Sequence, residues 1–309
     1  MRIAITGGSG LIGTAFAAAA RQAGDEVVTL VRRPARAAGE ITWNPAAPRG
    51  GIDLAALGPV GAVVSLAGAP VGARPWTAAR KAVLRASRIG ATTNLIAAIA
   101  AMDQPPATLV SASAIGWYGD TGQDEVTEQA PAGTGFLASL VTDWEAAADQ
   151  AAATGVRVVK IRSGIVLASR GGLLGQLAPL FRLGLGARLG PGTQYLSWIA
   201  LTDHVRALRY LIGQQDLAGP VNLTAPAPVT NAEFTRELAR AVRRPALLRL
   251  PAPVLRAALG ELSAELLSSA RISPARLLEA GFAFRYPDIA SALAAELRPA
   301  GPARPPAAA

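Results

Sequence analysis

The stretch "ITGGSGLIG", from Ile5 to Gly13, decides the fold, because it is a glycine-rich turn between a predicted strand and a predicted helix. Gly7, Gly10 and Gly13 give the spacing G-x-x-G-x-x-G. In such a turn the first glycine permits a tight bend, the second lets a pyrophosphate approach the backbone, and the third lets the helix pack closely on the strand. Free N–H groups and the dipole at the helix N-terminus also favour phosphate. The stretch therefore predicts a dinucleotide-binding turn, with an ordinary strand-to-helix turn as the alternative.

Strand and helix signals alternate on both sides of this turn through the first half of the chain. The predicted strands cover residues 2–6, 26–31, 62–66, 107–111 and 156–161, and the predicted helices cover 11–23, 77–101 and 137–153. Apolar strands separated by helices in this order predict a parallel sheet with helices on both faces. The connections between such strands are right-handed.

The sequence changes character after about Val166. Glycines are frequent in residues 170–197, which predicts a loop-rich excursion, and a further strand is predicted at 220–224. The sequence "VTNAEF" is typical of a helix start, with Thr230 or Asn231 as the N-cap. Repeated proline and small residues in 299–309 predict a disordered tail.

Length and hydropathy predict one large domain and a smaller lobe in a folded, cytoplasmic protein. The chain has 309 residues, of which 51% are hydrophobic. No apolar run reaches the roughly 20 residues that a membrane helix needs, so no membrane partner is expected. Met1 and Arg2 lead directly into the first strand, which leaves no room for a signal peptide.

Several classes of site are excluded by composition. The chain has no cysteine and a single histidine, His204, so disulfides, thiolate catalysis, cysteine-based zinc sites and histidine-rich metal sites are excluded, and no metal is expected. The formal net charge is +9, but no Lys/Arg run exceeds two residues and aromatic residues are only 5% of the chain. Nucleic-acid binders concentrate their charge on one stripe with interleaved aromatics, so a small-molecule ligand is expected instead of nucleic acid.

Two adjacent arginines end the second predicted strand, in the sequence "LVRRP". In NAD-preferring sites an acidic residue about 20 positions past the glycine turn holds the ribose 2′-hydroxyl. Here that position offers Arg32 and Arg33, whose guanidinium groups can hold a 2′-phosphate by bidentate hydrogen bonds. The pair predicts NADP as the cofactor, and a solvated surface pair is the alternative.

Several segments carry a family resemblance. The sequences "TGGSGLIG", "VVSLAG" and "VSASAIGWYGD" resemble the extended short-chain dehydrogenase/reductase superfamily, and in particular its atypical NAD(P)-dependent epimerase/dehydratase-like branch. The resemblance reaches about Leu297 and implies an α/β fold, a Rossmann-like doubly wound parallel sheet with a small C-terminal substrate lobe. The expected division is an NADP-binding domain in 1–220, with the excursion 170–197 joining the lobe, then the lobe in 221–298 and the tail in 299–309.

The resemblance also implies where a cofactor lies. Leu66 to Gly68 resembles the turn that lines the cofactor after the fourth strand, Ser111 to Ser113 would flank the nicotinamide, and Arg162 to Val166 resembles the turn beside its amide. The expected cofactor-binding residues are Gly7, Gly10, Leu11, Ile12, Gly13, Arg32, Arg33, Leu66, Ala67, Gly68, Ser111, Arg162 and Ile165.

The chain departs from the superfamily pattern at its catalytic helix. The superfamily uses a Tyr-x-x-x-Lys pair, and the corresponding positions here are Phe136 and Leu140, which cannot transfer a proton. Ser113 and Tyr118 are the candidate catalytic residues that remain, with local packing as the alternative. Glu145 is expected to be a structural partner on the same helix.

The helix after Trp76 carries three cationic residues, Lys81, Arg85 and Arg88, at a spacing that places them on one face. This face either meets an anionic substrate or cofactor phosphate, or is simply solvated.

Two functions of different classes follow from these observations. The first is an NADP(H)-dependent, epimerase-like oxidoreductase acting on a small carbonyl or hydroxyl compound, with a nucleotide sugar as one candidate. The second is a non-catalytic protein that senses NADP(H), which the missing Tyr-x-x-x-Lys pair favours. A homodimer formed through a helix pair is common in the superfamily and is the assembly that the resemblance suggests.

Overall fold

The computed structural model describes residues 1–47 and 51–297, so the predicted disorder of 299–309 lies outside the described residues. The strands are β1 (Arg2–Thr6), β2 (Glu26–Val31), β3 (Glu40–Thr42), β4 (Ala62–Ser65), β5 (Thr108–Ala114), β6 (Arg157–Ser163), β7 (Ile165–Leu167), β8 (Ala187–Leu189), β9 (Tyr195–Leu196), β10 (Trp198–Ala200), β11 (Gly219–Leu223), β12 (Val229–Thr230) and β13 (Leu248–Leu250). The helices are α1 (Leu11–Gln22), α2 (Leu54–Leu57), α3 (Ala78–Arg85), α4 (Ala91–Ala100), α5 (Phe136–Asp149), α6 (Gly172–Arg182), α7 (Leu201–Gly213), α8 (Asn231–Val242), α9 (Ala252–Leu259), α10 (Leu262–Leu267), α11 (Ala275–Glu279) and α12 (Ile289–Glu296).

Seven strands form the central sheet in the order β11-β6-β5-β4-β1-β2-β3, and every neighbouring pair is parallel. The chain runs outward from β1 to β3 in one direction, then crosses to β4 and continues in the other. This arrangement is the predicted Rossmann-like doubly wound sheet. Ligands of such sheets bind at the carboxyl ends of the strands where the order reverses, which here is between β1 and β4.

Alternate strand residues supply the two cores of the sheet, because successive side chains of a strand point to opposite faces. On one face Ile5, Val110 and Ile161 join a buried cluster with Phe16 of α1 and Leu208 of α7. On the other face a second buried cluster joins Ala4, Val63, Leu109 and Val158 of the strands to Leu95 of α4. Ser113 of β5 and Arg162 of β6 point to the face covered by α4 and α5.

The predicted helix 77–101 is interrupted in the structure. It consists of α3, a π-helical turn at Ala86–Gly90, and α4. Periodicity alone predicts a continuous helix here, because one π-helical turn shifts the hydrogen bonds by a single residue.

The predicted loop-rich excursion 170–197 also contains regular structure. The segment contains α6, whose Leu174, Ala178 and Phe181 are buried on one face. Gly171, Gly172 and Gly184, which have positive φ angles, lie at the ends of α6. They therefore mark the ends of a helix instead of a continuous loop.

The C-terminal helices α8 and α12 pack against β7 and β10. Phe234 and Leu238 of α8 and Leu293 of α12 share a buried cluster with Leu167 and Trp198. The helix start predicted at "VTNAEF" is confirmed, since Thr230 is the N-cap of α8 and forms a capping box with Glu233. The boundary predicted after residue 220 falls inside β11, and the sheet extends to Leu223. The division into two units remains a prediction. None of the described helices has the length and apolar character needed to span a bilayer.

Candidate functional site

The two predicted cofactor turns meet where the strand order reverses. Gly7 follows β1 with φ +70°, and a Cβ added to it would lie 2.7 Å from the carbonyl carbon of Leu66. The hydroxyl of Thr6 accepts hydrogen bonds from the backbone N–H groups of Leu66 at 3.1 Å and Ala67 at 3.2 Å. The glycine turn and the turn that ends at Gly68 are therefore fixed to each other by direct contact and side-chain hydrogen bonds.

The glycine turn is too tightly packed for a larger residue at Gly7 or Gly13. A Cβ on Gly13 would lie 2.2 Å from the carbonyl oxygen of Gly7. Gly10, the N-cap of α1, is exposed and has no side chain that could cap the helix, and the first turn contains no acidic residue. Leu11 and Ile12 form that first turn and are half-buried. The described geometry fits a phosphate group, which would meet backbone N–H groups and the positive end of the helix dipole.

The two arginines after β2 differ in their ion-pair partners. Arg33 forms a bidentate ion pair with Glu40, with Nη1–Oε2 and Nη2–Oε1 distances of 2.8 and 2.6 Å. The hydrogen bonds from Arg33 lower the pKa of the Glu40 carboxyl to about 2. Arg32 is exposed and has no such partner among the described residues. Of the two, Arg32 is therefore the guanidinium available to a ligand.

A buried polar network lies between the sheet and α5. Ser113 of β5 is paired in register with Arg162 of β6, so the two side chains are neighbours beneath α5. Glu145 of α5 receives the Ser113 hydroxyl at 2.6 Å and both Nε and Nη2 of Arg162, at 2.8 and 3.0 Å. All three side chains are at most 5% exposed. Burial is the largest single influence and opposes the charged form of Arg162, but its hydrogen bonds and charge interactions with Glu145 and Tyr118 together outweigh burial and raise its pKa.

Tyr118 extends the same network toward β11. Its hydroxyl donates to Oδ1 of Asn222 at 2.7 Å and accepts from Nη1 of Arg162 at 3.0 Å. Burial raises the pKa of the Tyr118 phenol, although the charge of Arg162 acts in the opposite direction. The guanidinium of Arg162 also lies 3.9 Å from the ring centroid of Trp117. Tyr118 is therefore neutral at physiological pH and is held by a charged donor.

The structure thus brings together Ser113, Tyr118 and Arg162, which the sequence nominated for different roles. Glu145 joins them, although the sequence indicated only a structural role for it. The available signal was its position, because it is an acidic residue on the helix face that also buries Ala138, Val141 and Ala148. An acidic side chain on an apolar helix face requires a buried partner.

The other residues considered for the site lie outside this network. Ser111 is fully buried, with its hydroxyl 3.4 Å from the carbonyl oxygen of Ala112, and Ile165 begins β7 in a half-buried position. Phe136 and Leu140 belong to an apolar cluster with Trp76, whose ring stacks edge-on against Phe136 at 5.2 Å. Phe136 and Leu140, which the resemblance aligns with the superfamily's tyrosine and lysine, are therefore packing residues.

His204 forms a separate contact at the end of β6. Its Nε2 lies 2.9 Å from the hydroxyl of Ser163, and Nδ1 has no hydrogen-bond partner in the described structure. Complete burial lowers the pKa of the imidazole to about 4, so His204 is neutral at physiological pH. His204 is therefore a buried neutral residue that holds the end of β6 through Ser163.

The described part of the structure contains two cavities of about 420 Å³ each. One is lined by Leu54, Pro59 and Met102, and the other by Thr127, Pro220 and Arg276. The second is also lined by Glu128, whose carbonyl oxygen lies 3.4 Å from Nη1 of Arg162. Pro59 and Pro220 place both at the amino ends of their strands. Because parallel sheets bind ligands at the carboxyl ends, neither cavity is the candidate cofactor site.

Comparisons with known proteins match almost the whole chain. The family model described as the NAD dependent epimerase/dehydratase family matches residues 3–223, and a domain of unknown function, DUF1731, matches 250–296. An epimerase family protein of Mycobacterium bovis is 51% identical over 292 residues, which are 94% of this chain and 96% of that protein.

Two solved structures are similar over 96% of this chain. The human epimerase family protein SDR39U1 (isoform 2) with NADPH has a TM-score of 0.88 and 33% identity, and 99% of that chain is covered. A nucleoside-diphosphate sugar epimerase from Corynebacterium glutamicum has a TM-score of 0.79 and 36% identity, and 58% of that chain is covered.

Proposed function

The chain belongs to the NAD dependent epimerase/dehydratase family, and on this premise we propose that it is an NADP(H)-dependent, epimerase-like oxidoreductase acting on a small carbonyl or hydroxyl compound. The observation that carries the proposal is the glycine turn, in which a Cβ on Gly13 would lie 2.2 Å from the Gly7 carbonyl oxygen. Gly10 is exposed, and a Cβ added to it would meet only the Gly7 carbonyl oxygen at 3.3 Å, so its backbone is open to a pyrophosphate.

Two further observations support NADP(H) and a nucleotide-linked substrate. The solved human relative contains NADPH, and the exposed Arg32 stands where a 2′-phosphate is expected. The similar protein of Corynebacterium glutamicum is named as a nucleoside-diphosphate sugar epimerase, which supports a nucleotide sugar as the substrate.

The proposed roles of the chain's own residues follow from the network beneath α5. A nicotinamide cofactor supplies or accepts a hydride, so the protein has to hold and move one proton. The Ser113 hydroxyl is the proposed group for this, because Glu145 Oε1 lies 2.6 Å away and can accept its proton. Arg162 holds the Glu145 carboxylate in position. It also donates a hydrogen bond to the Tyr118 hydroxyl, which is the second proposed catalytic group.

Substituting either proposed catalytic hydroxyl tests this function. Ser113→Ala and Tyr118→Phe are each expected to lower kcat by roughly 100-fold or more, which is typical for loss of a proton-transferring group. The affinity for NADPH is expected to stay within about twofold, because neither hydroxyl faces the glycine turn's phosphate contacts. NADPH binding is measured by fluorescence, and turnover by NADPH absorbance with panels of carbonyl compounds and nucleotide sugars.

The matched control is Ser139→Ala, at an exposed position of α5, which should change neither quantity. Turnover that survives both Ser113→Ala and Tyr118→Phe would remove these residues from the reaction. Tight NADPH binding by the wild-type protein without turnover of any panel compound would contradict the enzymatic part of the proposal.

Cofactor selectivity gives a second prediction. Arg32→Ala should weaken NADPH binding roughly 10-fold and leave NADH binding unchanged, because a charge-assisted contact to the 2′-phosphate is lost. Arg33→Ala should have the smaller effect, since Glu40 already engages that guanidinium. Dissociation constants for both cofactors, measured for each variant by fluorescence titration, check this ranking.

Arg236→Ala is the matched control, because Arg236 is an exposed arginine of α8 whose ion pair with Glu237 lies at a distance of 3.4 Å. It should leave both dissociation constants unchanged. An equal loss of NADPH and NADH affinity in Arg32→Ala would show that Arg32 does not contact the 2′-phosphate.

A further inference from the structure

The three cationic residues on the helix after Trp76 differ in their partners. Lys81 forms an ion pair with Glu261, and Arg85 forms one with Asp143. Arg88 has no carboxylate within ion-pair distance in the described part of the chain. The one hydrogen bond that its side chain forms with the described residues is a long contact of 3.5 Å from Nη1 to the carbonyl oxygen of Leu84. The shared face predicted from spacing therefore contains one cation that is not neutralised.

Arg88 lies against the turn that follows β4. A Cβ added to Gly68 would be 3.3 Å from Cζ and 3.4 Å from Nη2 of Arg88, so the guanidinium lies flat on this glycine. The Cζ atom of Arg88 also lies 5.3 Å from the ring centroid of Trp144 of α5. Gly68 itself is exposed, at the carboxyl end of β4 beside the point where the strand order reverses. The cation is thus placed at the ligand-binding edge of the sheet.

The surroundings of Arg88 disfavour its charge. Burial, together with the charge of Arg80, lowers the pKa of Arg88 to about 10. Arg80 is fixed nearby, because its Nη2 donates to the carbonyl oxygen of Pro70 in the same loop. A partly buried cation beside a second cation is costly unless an anion joins them.

The local backbone holds Arg88 in this position. Arg88 belongs to the π-helical turn Ala86–Gly90, and such turns often occur at functional sites. The neighbouring Ser87 hydroxyl accepts the backbone N–H of Ala69 at 3.1 Å and donates to the carbonyl oxygen of Leu84. The π-helical turn is therefore tied to the loop after β4, directly beside Gly68.

We propose that Arg88 binds a phosphate group of a ligand beside Gly68, at the edge where β1 and β4 end. This inference rests on the proposed function for the identity of the ligand, because the phosphate belongs either to the bound cofactor or to a nucleotide-linked substrate. A guanidinium suits phosphate because its planar fork offers parallel donors.

The test compares Arg88→Met with Arg85→Met, which removes a cation one helical turn away whose carboxylate partner is known. Each variant is titrated with NADPH, with inorganic pyrophosphate in the absence of cofactor, and with pyrophosphate after saturation with NADPH. Arg88→Met should weaken one of these interactions roughly 10- to 100-fold, as expected for lost charge-assisted hydrogen bonds, and Arg85→Met should change none.

The outcomes distinguish the two sources of phosphate. Weaker NADPH binding assigns Arg88 to the cofactor, whereas unchanged NADPH binding with weaker pyrophosphate binding assigns it to the substrate. Unchanged binding in all three titrations overturns the inference while leaving the proposed function intact. If the wild-type protein binds no NADPH, the proposed function fails, and pyrophosphate titrated into the cofactor-free protein still decides the role of Arg88.

Melting temperatures separate ligand binding from a structural role. Arg88→Met should melt at the same temperature as the wild type or higher, because it removes an uncompensated charge. A large loss of melting temperature would identify Arg88 as a structural residue and overturn the inference. If Arg88→Met does not fold, Arg88→Lys keeps the charge without the planar fork and should reproduce the loss of phosphate affinity.

Discussion

Gly13→Ala is expected to abolish NADPH binding and to destabilise the fold together. The new Cβ would lie 2.2 Å from the Gly7 carbonyl oxygen and 2.8 Å from the Cα of Gly8, and both of these atoms belong to the backbone. Relief requires α1 to move away from the turn, which removes the N–H groups from the phosphate position. We expect NADPH affinity to fall more than about 100-fold and the free energy of unfolding to fall by roughly 1–3 kcal/mol, as for other overpacked sites. Fluorescence titration and urea denaturation measure the two effects.

Two other glycines separate the two effects of this substitution. A Cβ on Gly10 meets only the Gly7 carbonyl oxygen, at 3.3 Å, so Gly10→Ala should keep nearly the full free energy of unfolding and still weaken NADPH binding. Gly213, in the last position of α7, has nothing within 4 Å of an added Cβ, and Gly213→Ala should change neither quantity. If Gly13→Ala binds NADPH as the wild type does, the turn does not hold the cofactor.

The parts of the fold that depend on local sequence were predictable. The strand Arg2–Thr6 and the strand Glu26–Val31 were predicted with the bounds that the structure has, because each is a short apolar run next to a glycine or a charged residue. The capping box at Thr230 was predictable for the same reason, since its partner Glu233 is only three residues away. These elements are determined by residues that are close together in the sequence, and so the sequence is sufficient to predict them.

The buried network was only partly predictable, because its members are distant in sequence. Tyr118 meets Asn222 across a separation of 104 residues, and Glu145 meets Arg162 across 17. An acidic or basic residue in a helix or strand is normally exposed, so its type alone does not reveal a buried ion pair. The register between β5 and β6, which makes Ser113 and Arg162 neighbours, becomes visible only when the sheet has formed.

Glu145→Gln is expected to lower the free energy of unfolding by about 3–5 kcal/mol, the usual cost of removing one partner of a buried ion pair. The amide has nearly the shape of the carboxylate, so the loss comes from the charge of Arg162, which is only 2% exposed. The Ser113 hydroxyl also loses a charged acceptor. Urea denaturation measures the change, and an effect below about 1 kcal/mol would show that the pair contributes little to stability.

Arg162→Met should be less harmful, because Glu145 retains a second cation. Lys160 Nζ lies 3.7 Å from Oε2 of Glu145 and 2.8 Å from Oδ2 of Asp149, and so can partly compensate the Glu145 carboxylate. The double variant Glu145→Leu with Arg162→Met replaces the pair by apolar side chains, and the cost is expected to be smaller than the sum of the single changes by about 2–3 kcal/mol. If Arg162→Met cost as much stability as Glu145→Gln, and the double variant cost the sum of the single changes, these expectations would be wrong. The double variant also tests the proposed reaction, because a stable protein that binds NADPH without turnover would show that the reaction needs the Glu145–Arg162 pair.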